Sequence, residues 1–345
     1  MSRVAGVDPG TVSFDLCVLD DGDVIVERSL PTEDVGADPE LLVKALVDHG
    51  PFDLVLGPAG YGLPLVAAEH VGDRELALML LVREDEPHGR VGVGGMRSIV
   101  CALTAAGLPL VFGPGAIHLP TVPAYRKWNR VDLGTADKVA SAALCIADQS
   151  RRLGVDFRET SFVMLELGGG FSAALAVDGG RIVDGVGGSA GPIGARACGA
   201  LDAEVAYLIG SALSKQTVFS GGALGDVDLS EGLEASRDRD GWVALEEGAA
   251  KAALALTASV PAPREILVAG RLAPGMIDGL TTRLAHVAPV RIATGLAAAR
   301  GAALLADGLA GGRYAALVER LGVRDASGSA LDHLRIHGAD RIRLR

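Results

Sequence analysis

The sequence predicts an α/β protein of two lobes, each built on a mixed sheet, related by internal duplication and closing on a ligand cleft. Three observations carry this. A strand–glycine–hairpin unit occurs twice in the same register. Apolar strand segments alternate with helical ones between the two copies, the pattern of a buried α/β sheet. The length, 345 residues, suits about two domains at roughly 150 residues each.

The first copy opens the chain. Val4–Val7 reads as an apolar strand, followed by Asp8-Pro9-Gly10-Thr11. Phe14–Leu19 is a second strand, Asp20–Asp23 a turn and Val24–Val26 a third strand. The second copy starts with Phe162–Leu165 and continues through Glu166-Leu167-Gly168-Gly169-Gly170, Phe171–Val177, the turn Asp178-Gly179-Gly180 and Arg181–Val183. Without a gap, Asp8 aligns with Glu166, Gly10 with Gly168, Leu19 with Val177 and Asp20 with Asp178. Acid, glycine, strand and turn all hold register, which argues for duplication.

The chemistry of the unit follows from its residues. Glycine lets the backbone come close to a ligand, and successive N–H groups then point at an anion. A carboxylate ending the first strand, Asp8 or Glu166, suits a hydrated Mg²⁺. The Thr11 hydroxyl can donate to a phosphate oxygen. Two such loops facing each other would clamp a triphosphate.

Between and after the copies, helices are expected over Glu40–His49 and Met96–Ala106, strands over Asp53–Leu56 and Leu110–Phe112, and a helix or strand over Glu75–Val82. The loop Pro58–Pro64, holding Gly60, Tyr61 and Gly62, follows a strand, where ligand sites of α/β sheets often lie. Val91–Arg97 reads either as a substrate-facing turn opening a helix or as a flexible connection. Ile117–Asp132 is the most chemically loaded loop, with His118, Arg126, Lys127, Trp128, Arg130 and Asp132. The glycine-dense stretch Gly187–Arg196 reads as a mobile loop lining the cleft, and Ser220–Ala223 as a second short loop. Ser230–Asp240 reads as a charged surface excursion. The tail Leu331–Arg345 carries four arginines and is expected to pack on the protein's own acidic surface.

Composition excludes several classes. Lys and Arg number 32 against 43 Asp and Glu, a net charge of −11, so nucleic acid and anionic membranes are poor partners. Aromatics at 4% give no base-stacking platform. A hydrophobic content of 49% excludes dominant disorder. The 47 glycines show no Gly-X-Y period. Cys17, Cys101, Cys145 and Cys198 form no Cys-x-x-Cys pair and read as small buried hydrophobes of a reducing compartment. The histidines show no zinc spacing. Met1–Gly6 does not read as a signal peptide, and no apolar run reaches the ~20 residues of a membrane span. A cytoplasmic protein is expected.

These motifs resemble those of the actin-like ATPase superfamily, which includes acetate and sugar kinases, actin and the heat-shock chaperones. Asp8-Pro9-Gly10-Thr11 matches its first phosphate motif. Glu166–Gly170 matches the second, with Glu in place of Asp. The strand and Gly-rich turn Ile266–Ala273 is similar to its adenosine motif, with Arg271 where a second glycine is frequent. Gly134–Arg152, with Thr135 as N-cap, and the small-residue segment Leu296–Leu309 are similar to its two connecting helices, whose small residues let them cross closely between the lobes. The chain as a whole is most similar to an uncharacterised group of predicted butyrate kinases, through Gly134–Ala140, Leu165–Val177, Gly187–Tyr207 and Phe219–Ala223.

The resemblance implies two ribonuclease-H-like (actin-like) lobes: an N-terminal lobe over 1–155, a C-terminal lobe with the adenosine region over 156–315, and an extension over 316–345. It implies ATP and Mg²⁺ as cofactors. Asp8 and Glu166 would organise the metal. Gly10, Thr11, Gly168, Gly169 and Gly170 would cradle phosphates, and Gly270 and Arg271 would neighbour the nucleoside. A carboxylate acceptor, already ionised at neutral pH, needs a cation; Arg97, Arg126, Lys138 and Arg196 are the candidates. A hydroxyl acceptor usually benefits from a base; Asp132 and Asp137 are the candidates, with Arg130 beside them at the transferring group. The resemblance favours a small carboxylate. A sugar or other hydroxyl-acceptor kinase and a nucleotide-gated switch stand as alternatives. Expected partners are a small-molecule acceptor and neither nucleic acid nor membrane; a homodimer stays open.

Overall fold

A computed structural model describes residues 2–86, 93–225, 239–293 and 295–345. Residues 230–238 of the expected excursion Ser230–Asp240 and the start of the Val91–Arg97 turn lie outside the described residues, and Arg239 and Asp240 open a helix.

The first sheet contains β1 (Arg3–Pro9), β2 (Ser13–Asp20), β3 (Asp23–Pro31), β4 (Leu54–Gly57), β5 (Val66–Ala67) and β6 (Leu110–Phe112), in the order β3-β2-β1-β4-β6-β5. The second contains β7 (Ser161–Leu167), β8 (Ser172–Asp178), β9 (Arg181–Val186), β10 (Glu265–Ala269) and β11 (Val290–Ile292), in the order β11-β10-β7-β8-β9. Apart from the added edge strand β5, the orders are identical. In each sheet an antiparallel three-strand meander is extended by two parallel strands. The duplication reaches fine detail. The meander shifts register between Val18 and Leu19 in one copy and between Ala176 and Val177 in the other, the aligned positions.

Alternation along the strands makes two buried faces per sheet. Ala5, Val7, Leu16 and Val18 face the helices Glu40–Val47, Asp73–Leu80 and Val93–Ala105. The segment expected as helix or strand near Glu75 is therefore a helix. Val163, Leu165 and Leu167 likewise meet the helices Arg239–Leu256 and Ala273–Leu284. The opposite faces, through Val4, Cys17, Phe162 and Met164, share one core with the helices Ala136–Leu153, Ala297–Leu309 and Ala315–Leu321. This interlobe core is what joins the halves. Each fully buried Leu or Phe contributes roughly 1.5–3 kcal/mol, whereas an ion pair such as Arg300–Glu27, 2.5 Å and about 29% exposed on both sides, adds at most about 1 kcal/mol.

The small residues of the Ala297–Leu309 helix are used as expected. A Cβ on Gly301 would collide with the Ala140 carbonyl, and one on Gly6 with the Ala303 backbone. The helix thus lies directly on β1 and crosses the Ala136–Leu153 helix at backbone distance.

Two expectations are corrected. Gly187–Arg196 is a knitted loop: Gly187 and Ser189 donate to Asp132, Arg196 and Ala197 donate to the Gly170 carbonyl, and Ala223 and Leu224 donate back to Gly194 and Ala195. Cys101 is exposed, while Cys17 and Cys145 are buried and Cys198 is intermediate; all four are free thiols. The tail packs on the chain, here through an aromatic ring and backbone contacts. The Arg335 guanidinium lies 3.5 Å from the Trp128 ring centroid, and Leu344 bridges Arg83. Among the described residues no helix is long and apolar enough to cross a membrane.

Candidate active site

The two glycine loops face each other across the cleft. The loop after β1 turns tightly, because a Cβ on Gly10 would strike the Ser13 carbonyl; Gly168 stands in the same relation to the Phe171 carbonyl, 3.1 Å from the place of its Cβ. A Cβ on Gly170 would lie 3.3 Å from the Thr11 methyl. Thr11 and Gly170 are therefore opposed at contact distance.

Asp8 ends β1, Glu166 ends β7, and Asp137 and Lys138 open the Ala136–Leu153 helix. The crossover topology brings these ends to one place, the switch point between parallel and antiparallel halves. Lys138 Nζ is 3.2 Å from Glu166 Oε1 and also pairs with Asp137. Ser141 Oγ donates to Glu166 Oε2 at 3.1 Å. Thr135 holds the N-cap position, but its hydroxyl donates to the Asp137 carboxylate and accepts no bond from the helix backbone N–H groups. Burial and the charges of Asp137 and Glu166 push the Asp8 carboxyl well above the usual range. Burial raises Glu166 as well, and Lys138 offsets part of that. For Lys138 burial works downward, and Asp137 and Glu166 overcome it and raise the ammonium.

Asp15 stands opposite Asp8 on β2 and leaves one buried carboxylate oxygen without a hydrogen-bond partner. Around Lys138 the acids Asp8, Asp15, Asp137 and Glu166 outnumber the single ammonium. Among the described residues no three His, Cys, Asp or Glu are grouped to coordinate a metal directly. The excess negative charge and the orphaned Asp15 oxygen fit a hydrated divalent cation, held through water.

Gly270 (φ +93°) turns the chain at the end of β10, where a Cβ would strike the Leu167 backbone, and Leu272 N–H donates to the Leu167 carbonyl at 3.0 Å. Gly270 and the exposed Arg271 thus sit beside the second glycine loop.

The remaining expected residues separate. Arg97 pairs with Asp73, between helices on the far face of the first sheet. Arg126 donates to the Val183 carbonyl at 2.7 Å and pairs with Asp184 at 3.5 Å, tying a loop to β9. Arg130 is exposed. The Arg196 backbone is part of the knitted loop. Asp132 is 4% exposed; its Oδ1 accepts from Gly134 N–H at 3.0 Å and its Oδ2 from Ser189 N–H and Oγ–H at 3.1 Å. Both oxygens are occupied in bracing the cleft loop.

Sequence reasoning missed Asp15 and Lys215. Lys215 opens a four-residue helix after Ser214 in the second lobe, and its ammonium meets Tyr61 of the first. Tyr61 was visible as part of Pro58–Pro64. Nothing in the local pattern around Lys215 announced a cleft position.

The paired sheets, the opposed glycine loops and the acid-rich switch point define the two-lobed fold of the actin-like ATPase superfamily. Solved structures share it. An acetate kinase from Entamoeba histolytica superposes with a TM-score of 0.57 at 12% identity, covering 83% of this chain and 87% of that one. A propionate kinase from Francisella tularensis gives 0.56 at 14%, covering 87% and 99%. An acetate kinase from Porphyromonas gingivalis gives 0.55 at 16%, covering 83% and 88%. No curated protein sequence matches the chain. Within that fold, the chain belongs to the family described as "Protein of unknown function (DUF1464)", whose model matches residues 6–336.

Proposed function

We propose that this protein is an ATP-dependent phosphotransferase whose acceptor is a small carboxylate, butyrate-like in size, giving an acyl phosphate and ADP. The observation that carries the reading is the opposition of Thr11 and Gly170 above the Asp8–Asp137–Glu166 cluster. The solved carboxylate kinases that share the fold support it.

Gly10, Thr11, Gly168, Gly169 and Gly170 would receive the phosphates through backbone N–H groups and the Thr11 hydroxyl. Gly270 and Arg271 would neighbour the nucleoside. Asp8 and Glu166, joined by Asp15, would hold hydrated Mg²⁺, which offsets charge on the phosphates. An acceptor carboxylate oxygen attacks the γ-phosphorus, and the bond from that phosphorus to the β–γ bridging oxygen breaks. The bridging oxygen leaves on ADP with the electron pair. No proton moves, so no base is required. This suits a cleft in which both oxygens of Asp132 are occupied and Asp137 is paired with Lys138.

The test is calorimetric titration of MgATP into the wild type and Asp8→Ala, followed by short carboxylates with hydroxylamine trapping. Binding lost in Asp8→Ala and hydroxamate formed from one acid are the expected results. No nucleotide binding by the wild type would end the reading. ADP release that depends on an alcohol would redirect it to a hydroxyl-acceptor kinase, and nucleotide binding that no acceptor stimulates would redirect it to a switch.

A further inference from the structure

We infer that Lys215 is the residue that binds the carboxylate of the acceptor. This rests on the carboxylate reading above and adds to it a residue and its aromatic surroundings. Lys215 Nζ lies 4.7 Å from the Tyr61 ring centroid and 5.9 Å from that of Phe219. It is 3.3 Å from the Tyr61 hydroxyl and 3.3 Å from the Leu81 carbonyl. An ammonium has three donors, and these two long contacts use at most two. Among the described residues the third has no acceptor, and the ammonium makes no ion pair.

The charges that face it are spent elsewhere. Glu86 Oε1 accepts the Lys215 backbone N–H at 2.7 Å, and Glu86 also pairs with Arg83 at 3.6 Å. Asp132 is held by Gly134 and Ser189. Burial raises the Tyr61 phenol, which therefore stays neutral. A half-buried cation without a counter-ion is costly unless an anion completes the site.

The surroundings select the anion. Phe219 meets Phe171 edge to face, with centroids 5.0 Å apart and planes at 86°. Phe171 directly follows Gly168–Gly170, so this cluster adjoins the second glycine loop. Aromatic walls and a single cation with one phenol fit a short aliphatic monocarboxylate: the carboxylate on Lys215 and the Tyr61 hydroxyl, the alkyl chain on the rings. A sugar would find few polar partners there.

Burial lowers Lys215 to about 8, with Asp132 and Glu86 opposing the fall. The cation is therefore lost just above neutrality, which a merely structural lysine would not report in ligand affinity.

The experiment uses the full chain as wild type, Lys215→Met and Lys215→Arg. Butyrate is titrated by calorimetry between pH 7 and 9.5, with 1-butanol as the uncharged control and MgATP in parallel. Expected are MgATP affinities within about twofold across the three proteins, and butyrate binding at least tenfold weaker in Lys215→Met and retained in Lys215→Arg. Wild-type butyrate affinity falls as pH passes 8, while the Arg variant, charged throughout, stays flat. Butyrate binding undiminished in Lys215→Met would overturn the assignment and leave the carboxylate reading standing. Should Lys215→Met not fold, parallel pH profiles for the wild type and Lys215→Arg would overturn it equally. A wild type that binds MgATP but no monocarboxylate would overturn both together.

Discussion

Lys138 Nζ sits 3.2 Å from Glu166 Oε1, so the first turn of the Ala136–Leu153 helix supplies the counter-ion for the acid that ends β7. The ammonium occupies the centre of a cluster that is otherwise negative. Removing it by Lys138→Met leaves several carboxylates without compensation. Loss of one partner of a buried pair costs about 3–5 kcal/mol, and urea unfolding at pH 7 should show a loss of that order. Asp8→Asn should move the other way. The Asp8 carboxyl is raised, so its ionisation opposes folding at neutral pH, and the neutral amide removes that opposition. A rise in Tm of roughly 2–4 °C together with loss of MgATP binding is expected. The double variant should be less destabilised than the sum of the two single effects; strict additivity would disprove the coupling.

Asp132 acts as a brace. In Asp132→Asn one amide N–H₂ must face a backbone or hydroxyl donor, at a cost of about 1–3 kcal/mol. Transfer to any acceptor should fall in parallel with stability, and the pH–rate profile should keep its shape. A selective loss with alcohol acceptors, accompanied by disappearance of an acidic limb, would make Asp132 a base instead.

His118 is buried, with Nδ1 3.3 Å from the Gly115 carbonyl. Burial lowers it to about 4, with Lys127 and His333 facing it as cations and Asp332 as an acid. A base whose folded pKa lies below its unfolded value of ~6.5 binds its proton more readily when unfolded. Stability is therefore complete above pH 6.5 and declines as pH falls towards 4, by about 2–3 kcal/mol. Urea midpoints over this range should fall less steeply for His118→Gln. Equal slopes for both proteins would place the acid sensitivity elsewhere.

The tail braces the segment that leads to Lys215. Glu84 N–H donates to the Arg343 carbonyl at 3.0 Å and Arg345 N–H to the Val82 carbonyl at 3.1 Å. The segment thus held continues into Glu86, which accepts from the Lys215 backbone N–H. Truncation after Asp340 should weaken carboxylate binding several-fold and leave MgATP binding unchanged. Arg335→Ala should shift Trp128 fluorescence at a cost of about 0.5–1 kcal/mol. A truncated chain with unaltered carboxylate affinity would show that the tail only covers surface.

Glycine loops and meanders were legible because they are local. Period-2 apolarity, a turn of Asp and Gly and an acid at the strand end lie within about twenty residues, and their repetition at a constant spacing exposed the duplication before any strand was paired. The helix-crossing residues around Gly301 were legible for the same reason: a run of small side chains has few other uses.

The cations were not legible in this way. Arg97, Arg126 and Lys138 are the same kind of residue in sequence, yet the first pairs on an outer face, the second ties a loop to β9 and the third fills the acid cluster. Lys215 meets Tyr61 across 154 positions of chain. The sequence by itself determined the strands, the loops and their duplication, because backbone conformation answers to near neighbours. Only the tertiary structure decided which charges share the cleft, because the partner of a charged side chain is chosen by which strand ends the crossovers bring together.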